Sequence, residues 1–257
     1  MCLILFAHRI HPDYPLLLAA NRDEFHQRPT APARFWEEHP DVLAGRDLQA
    51  GGTWMGVSRR GRFAAITNFR DPAQTGSAPR SRGELPLNFL LAESGPEQYL
   101  SELQGTAGDY AGFNLLLGEG DALWYMSNSG PLDARGPREL PPGVYGLSNA
   151  SLDTPWPKVA LGKQILTQSL NGSISHRALQ AVVGDRGLAK REELDLQGLN
   201  GEMDELLSAQ FIVNATYGTR ATTSCWQDLG GRFHWQETSL DANGDVTGQV
   251  TEVVEVR

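Results

Sequence analysis

A cysteine stands at position 2, directly behind the initiator methionine, and heads the apolar run Leu3-Ile4-Leu5-Phe6-Ala7. Aminopeptidases remove an initiator methionine when the next residue is as small as cysteine, so the expected mature chain starts at Cys2 with a thiol and a free α-amine on one residue. An α-amine has an ordinary pKa of about 7.7–8.0. Near neutral pH it can take the proton from its own thiol, as the N-terminal amine does for threonine nucleophiles. Nucleophile and base would then share a single residue. The same cysteine also reads as a small buried residue opening a strand, and the remaining polar residues have to separate the two readings.

The second group is Asn21-Arg22-Asp23-Glu24, which follows the apolar run 16–20 without a gap. Between the two apolar runs lies His11-Pro12-Asp13-Tyr14-Pro15, which is turn chemistry, so the runs read as a hairpin. A hairpin brings the end of its second strand back beside the start of its first, which sets Asn21 to Glu24 next to Cys2 at the point where the chain is expected to leave the sheet. Two further polar residues close apolar strands: Asn68 after 63–67, and Asn149 after 144–148. A strand-end asparagine either forms a turn or donates a hydrogen bond into a pocket, and the local pattern allows both.

The elements that must position these residues follow from periodicity and turn signals. The proline-interrupted stretch 25–50 reads as an irregular loop over the sheet. Residues 51–58 and 63–69 read as two strands around Arg59-Arg60-Gly61-Arg62. Helical spacing appears over 82–94 and 96–104, the second opened by Pro96, then over 156–170 and 175–183, with a last short helix over 201–208. Strands are predicted over 113–118, 122–127 and 144–148, and again over 210–215, 218–227, 232–240 and 246–256. Strands, then helices mixed with strands, then strands again make an α+β protein with mainly antiparallel sheets, and two sheets stacked between helices bury such a set well.

Composition narrows the function. No linker divides the 257 residues, so the chain reads as one domain over 1–257. A net charge of −9 argues against a nucleic-acid partner, whose phosphates need clustered Lys and Arg. No apolar run approaches the ~18 residues of a membrane span, and the N-terminus lacks the pattern of a signal peptide. The cytoplasm is the expected location. Two cysteines make no disulfide framework, and Cys225, among the strand residues Thr222, Thr223, Ser224 and Trp226, reads as packed core. Gly-x-Ser-x-Gly, His-Glu-x-x-His, Cys-x-x-Cys and phosphate-loop patterns do not occur. His8 and His11 have no carboxylates at ligand spacing, so no metal site is assigned.

Taken together, Met1-Cys2, Asn21-Arg22-Asp23-Glu24, Gly51-Gly52-Thr53-Trp54-Met55-Gly56, Thr67-Asn68-Phe69 and Tyr217-Gly218-Thr219-Arg220 resemble the NRDE family, to which the eukaryotic transport and Golgi organisation protein 2 belongs. The resemblance spans nearly the whole chain and departs at Ala221-Thr222-Thr223-Ser224-Cys225, where a more apolar strand is expected. It implies a fold similar to the N-terminal nucleophile hydrolases, a four-layer αββα sandwich. More distantly, Cys2, Asn21-Arg22-Asp23, Asn68 and Asn149 are similar to the sites of cholylglycine-type amidases. That likeness implies Cys2 as nucleophile, Asp23 holding the α-amine, and Asn68 and Asn149 around the oxyanion. The arginine in those amidases precedes the aspartate by three residues, whereas Arg22 precedes Asp23 directly.

The expected activity is hydrolysis of a linear, non-peptide amide, with Arg22 favouring the thiolate. Asn21, Arg22, Glu24, Trp54 and Arg220 are the expected substrate contacts, Arg220 meeting a substrate carboxylate. The partner is a small molecule and no cofactor is required. The alternative is a non-catalytic carrier of haem or an acyl lipid on the same fold; without Cys-x-x-Cys-His, any haem would be held non-covalently.

Overall fold

The predicted N-terminal hairpin lies inside the first of two antiparallel sheets. The computed structural model describes residues 2–70 and 78–257. The first sheet contains β1 (Cys2–His8), β2 (Leu16–Phe25), β10 (Gly143–Leu147), β11 (Tyr217–Gln227), β12 (Phe233–Leu240) and β13 (Val246–Val254), in the order β10-β1-β2-β11-β12-β13. The second runs β3 (Thr30–Phe35), β4 (Val42–Asp47), β5 (Met55–Ser58), β6 (Arg62–Asn68), β7 (Phe113–Glu119), β8 (Ala122–Ser127) and β9 (Arg138–Glu139), each strand beside the next in sequence.

The unbroken apolar runs of β1 and β2 reflect burial on both faces. Ile4, Phe6, Leu16, Leu18 and Ala20 meet the second sheet, where Leu43, Met55, Val57 and Phe63 complete the core. Leu3, Leu5, Ala7, Leu17 and Ala19 point the other way, onto α3 (Pro157–Ser169) and α4 (His176–Val182). The outer face of the second sheet is covered by α1 (Glu84–Leu91) and α2 (Pro96–Gln104) through Phe89, Leu90, Leu100 and Leu103. The layers are therefore helix, sheet, sheet, helix, as the resemblance implied. Two short helices, α5 (Arg191–Asp195) and α6 (Asp204–Leu207), follow α4. Gly162 lets α3 lie close on β1, since a Cβ there would stand 2.0 Å from Leu5 Cδ1.

Three expectations need correcting. The stretch 25–50 is not an irregular loop but holds β3 and β4. Its prolines conceal this because β3 is an edge strand, with Pro32 inside the register shift between Ala31 and Arg34, where a missing N–H costs no ladder bond. Residues 210–215 form no strand: Phe211 N donates to Asp185 O at 2.9 Å and Ile212 N to Thr219 Oγ1 at 2.9 Å, so these donors go to a loop and a side chain. The final helix is one turn shorter than predicted at its start, beginning at Asp204. Cys225 is fully buried in the inter-sheet core, and burial pushes its thiol well up.

Candidate active site

The β1–β2 register sets Cys2 opposite Arg22 and Leu3 opposite Asn21. Asn21-Arg22-Asp23-Glu24 is thus part of β2 itself, Asn21 and Arg22 paired with both β1 and β11 and Asp23 and Glu24 with β11 alone, rather than a loop where the chain leaves the sheet. β11 holds the other side, pairing Gly218 with Glu24 and Thr219 with Asp23, with a register shift around Arg220. Side chains alternate along a strand, so the tetrapeptide is divided between the two faces of the sheet.

Arg22 points between the sheets, on the same side as Cys2. It is 6% exposed, its guanidinium lies 4.3 Å over the Trp54 ring, and its Nη2 is 3.9 Å from Asp47 Oδ2. Asn21 and Asp23 face the helix layer. Asn21 donates to Val183 O and Gln210 O, each at 2.8 Å, and accepts from Thr222 Oγ1 at 2.8 Å. Its amide is spent on holding the end of α4 and the 210 segment against the sheet, which removes it from the expected substrate contacts. Asp23 Oδ1 accepts from Thr219 Oγ1 at 2.7 Å, and its main-chain carbonyl accepts from the Tyr217 hydroxyl at 2.9 Å.

Cys2, Arg22, Asp23, Trp54, Asn68 and Arg82 line one cavity of about 390 Å³, with Glu24 also on its wall. Because Cys2 is the first residue of β1, groups from both faces of the sheet converge around it. In the chain carrying Met1, burial pushes the half-buried Cys2 thiol up and the Asp23 carboxylate adds to this, while Arg22 and a hydrogen bond from the Asp23 backbone N–H pull it down. Burial wins, so in this form of the chain the thiol lies above its ordinary value even though Arg22 favours the thiolate as expected.

Asn68 is exposed at the end of β6, facing the cavity. Asn149 is buried beside it and has a different role: its Nδ2 donates to the Asn68 main-chain carbonyl at 2.7 Å, and its own carbonyl accepts from Arg70 N at 2.7 Å. Next to it, Ser148 Oγ donates to Cys2 O at 3.0 Å. This corner fastens the ends of β1, β6 and β10 together. Glu24 accepts from Phe25 N at 2.9 Å. Arg220 does not line the cavity; its Nη1 donates to the carbonyls of Phe25, His26 and Arg28, clamping the turn after β2 instead of waiting for a substrate carboxylate.

Two residues here were missed in the sequence. Lys158, 3% exposed in the first turn of α3, donates to Leu207 O at 2.8 Å; burial lowers its pKa, while the charges of Asp23 and Cys2 oppose that. In return it helps hold down the Asp23 carboxyl, which burial pushes up. The sequence signal was its place on the buried stripe Lys158, Gly162, Leu166. Arg82 is half-buried ahead of α1 and donates from Nη1 to Gly112 O at 3.0 Å; burial lowers its pKa, and the charges of Cys2 and Glu24 oppose that. The glycine motif seats it. Thr53 N donates to Gly83 O at 2.9 Å, and a Cβ on Gly52 would stand 2.3 Å from the Gly83 carbonyl carbon.

Fold and cavity together define a four-layer αββα protein with a cysteine-headed central strand at a charged pocket. Comparison with known proteins agrees on the relationship. The family model for Transport and Golgi organisation 2 matches residues 1–242. The Transport and Golgi organization 2 homolog of Mus musculus is 36% identical over 261 residues, covering 93% of each chain, and the Homo sapiens homolog is 34% identical with the same coverage. Among solved structures, the Caenorhabditis elegans ortholog of N-acylethanolamine-hydrolyzing acid amidase superposes with a TM-score of 0.43 at 6% identity, covering 87% of this chain and 92% of that one. The chain belongs to the Transport and Golgi organisation 2 family.

Proposed function

We propose that the protein is an N-terminal-nucleophile cysteine amidohydrolase acting on a linear, non-peptide amide, with Cys2 as nucleophile once Met1 has been removed. The observation that carries this reading is the convergence of Cys2, Asp23 and Asn68 on one cavity, at the first residue of a central strand.

In the reaction, the α-amine of Cys2 takes the thiol proton and the sulfur attacks the amide carbonyl, forming a C–S bond. The oxygen gains negative charge, and the Asn68 amide donates to it, a contribution of about 3–4 kcal/mol for one such donor. The tetrahedral centre collapses, the C–N bond breaks, and the amine leaves with the proton carried by the α-ammonium. Water, deprotonated by the α-amine, then attacks the thioester and releases the acid and the thiol. Asp23 orients the α-ammonium, with the Lys158 charge opposing the upward push of burial on its carboxyl. Asn149 acts through Asn68 as a positioning residue, because its donor is taken by the Asn68 carbonyl.

The test is turnover of a panel of N-acyl aminocoumarin amides by the processed protein and by Cys2→Ser and Asn68→Ala. The proposal expects release of coumarin by the wild type, none by Cys2→Ser, and a fall in kcat larger than any rise in KM for Asn68→Ala. Equal rates for wild type and Cys2→Ser would overturn it.

A further inference from the structure

Around Cys2 the cavity carries more cationic hydrogen-bonding capacity than the described residues satisfy. Four arginines line it: Arg22, Arg28, Arg80 and Arg82. Two are paired. Arg28 Nε donates to Asp47 Oδ2 at 2.7 Å, and Arg80 Nη2 lies 2.5 Å from Glu84 Oε1. Among the described residues, the only ion pair of Arg22 is the long contact from Nη2 to Asp47 Oδ2 at 3.9 Å. Asp47 Oδ2, the carboxylate oxygen near Arg22, is already taken by Arg28, and Asp47 Oδ1 accepts from the N–H groups of Gln49 and Ala50. Arg22 Nη1 is buried with no hydrogen-bond partner among the described residues. Among the described residues Arg82 makes no ion pair, and one of its five N–H donors reaches Gly112 O.

A buried guanidinium N–H without an acceptor is costly, and the cost disappears when an anion is bound there. The planar fork of arginine matches a carboxylate in particular. Both side chains also lie near the sulfur: Arg22 is opposite Cys2 in the sheet, and the charges of Cys2 and Arg82 interact.

We propose that the amide accepted at this site bears a carboxylate close to its scissile carbonyl, and that Arg22 Nη1 and Arg82 bind that carboxylate, Arg82 setting the specificity. This rests on the hydrolase reading for the word substrate, although the anion site itself does not. Arg82 takes the part that the sequence had assigned to Arg220, whose Nη1 is committed to three main-chain carbonyls.

The experiment is calorimetric titration of the full chain with N-acetylglycine and with its neutral counterpart N-acetylglycinamide, which differ only in the carboxylate. The wild type is expected to bind the carboxylate at least about tenfold more tightly, about 1.4 kcal/mol. Added salt should narrow the ratio, Arg82→Gln should bring it near one, and Arg82→Lys should retain part of it. A wild-type ratio near one, preference for the neutral amide, no binding of either probe, or a preference untouched in Arg82→Gln would each overturn the proposal. Carboxylate preference in a protein that hydrolyses no amide would contradict the hydrolase reading alone. Turnover of neutral and anionic amides with equal kcat/KM would contradict the substrate class alone.

Discussion

Asn149 donates its side-chain amide to the main-chain carbonyl of Asn68 at 2.7 Å, joining the end of β10 in one sheet to the end of β6 in the other. The position of Asn68 at the cavity therefore depends on a residue that does not itself line it. Asn149→Ala removes this part-buried hydrogen bond to the Asn68 carbonyl and should lower stability by about 0.5–1.5 kcal/mol. It should also reduce kcat with little change in KM. Thermal unfolding and steady-state kinetics measure the two, and an unchanged melting temperature would mean that the tie contributes nothing.

Lys158 places a buried positive charge near both Asp23 and Cys2. Lys158→Met removes a cation that stabilises the thiolate, so the Cys2 thiol pKa should rise further. The pH profile of iodoacetamide alkylation should shift to higher pH, with Cys225, fully buried, as the unreactive control. A profile that stays in place or moves to lower pH would show that Lys158 only packs.

Glu237 is 1% exposed between the sheets, with Oε1 accepting from Ala33 N at 2.6 Å and Oε2 without a partner. Burial raises its pKa from 4.5 to about 7, against the pull of the Ala33 N–H and Arg22. The folded state thus holds this proton more tightly than the unfolded state. Stability from this group is fully present below pH 4.5, falls as pH rises, and is lost above about 7, a change on the order of 3 kcal/mol. Glu237→Gln should flatten the stability profile across that window, as read by urea unfolding at successive pH values. Retention of the slope would place its origin elsewhere.

Gly52 lies against the main chain of Gly83, with 2.3 Å between a notional Cβ and the Gly83 carbonyl carbon. Backbone cannot rotate away as a side chain can, so Gly52→Ala should force the two segments apart at a cost of about 1–3 kcal/mol. Arg82 would move with them. Loss of carboxylate preference together with a lowered melting temperature is the expected result; a variant as stable as wild type would contradict the close approach.

The hairpin, the strand boundaries of β7 and β8, and the four-layer arrangement were legible because apolar runs and turn residues report burial on both faces directly. β3 was hidden by Pro32, which an edge strand tolerates and a central one does not. At the site, the sequence could set Cys2 beside Arg22 and Asp23, since a hairpin fixes that register. It could not show that Asn21 turns to the helix layer or that Arg220 closes a turn, because both depend on where distant carbonyls such as Val183 O and Phe25 O lie. Lys158 and Arg82 were missed for the same reason: each reaches the site through the packing of a helix layer or loop rather than through its neighbours in sequence.

The central claim is that Cys2 becomes the N-terminal residue and acts through its own α-amine. Intact-mass measurement of the natively expressed protein, with the N-terminal peptide sequenced by fragmentation, tests it most directly. The account predicts a chain that has lost Met1 and begins at Cys2 with an unmodified amine; retention of Met1 on all of the folded protein would contradict it.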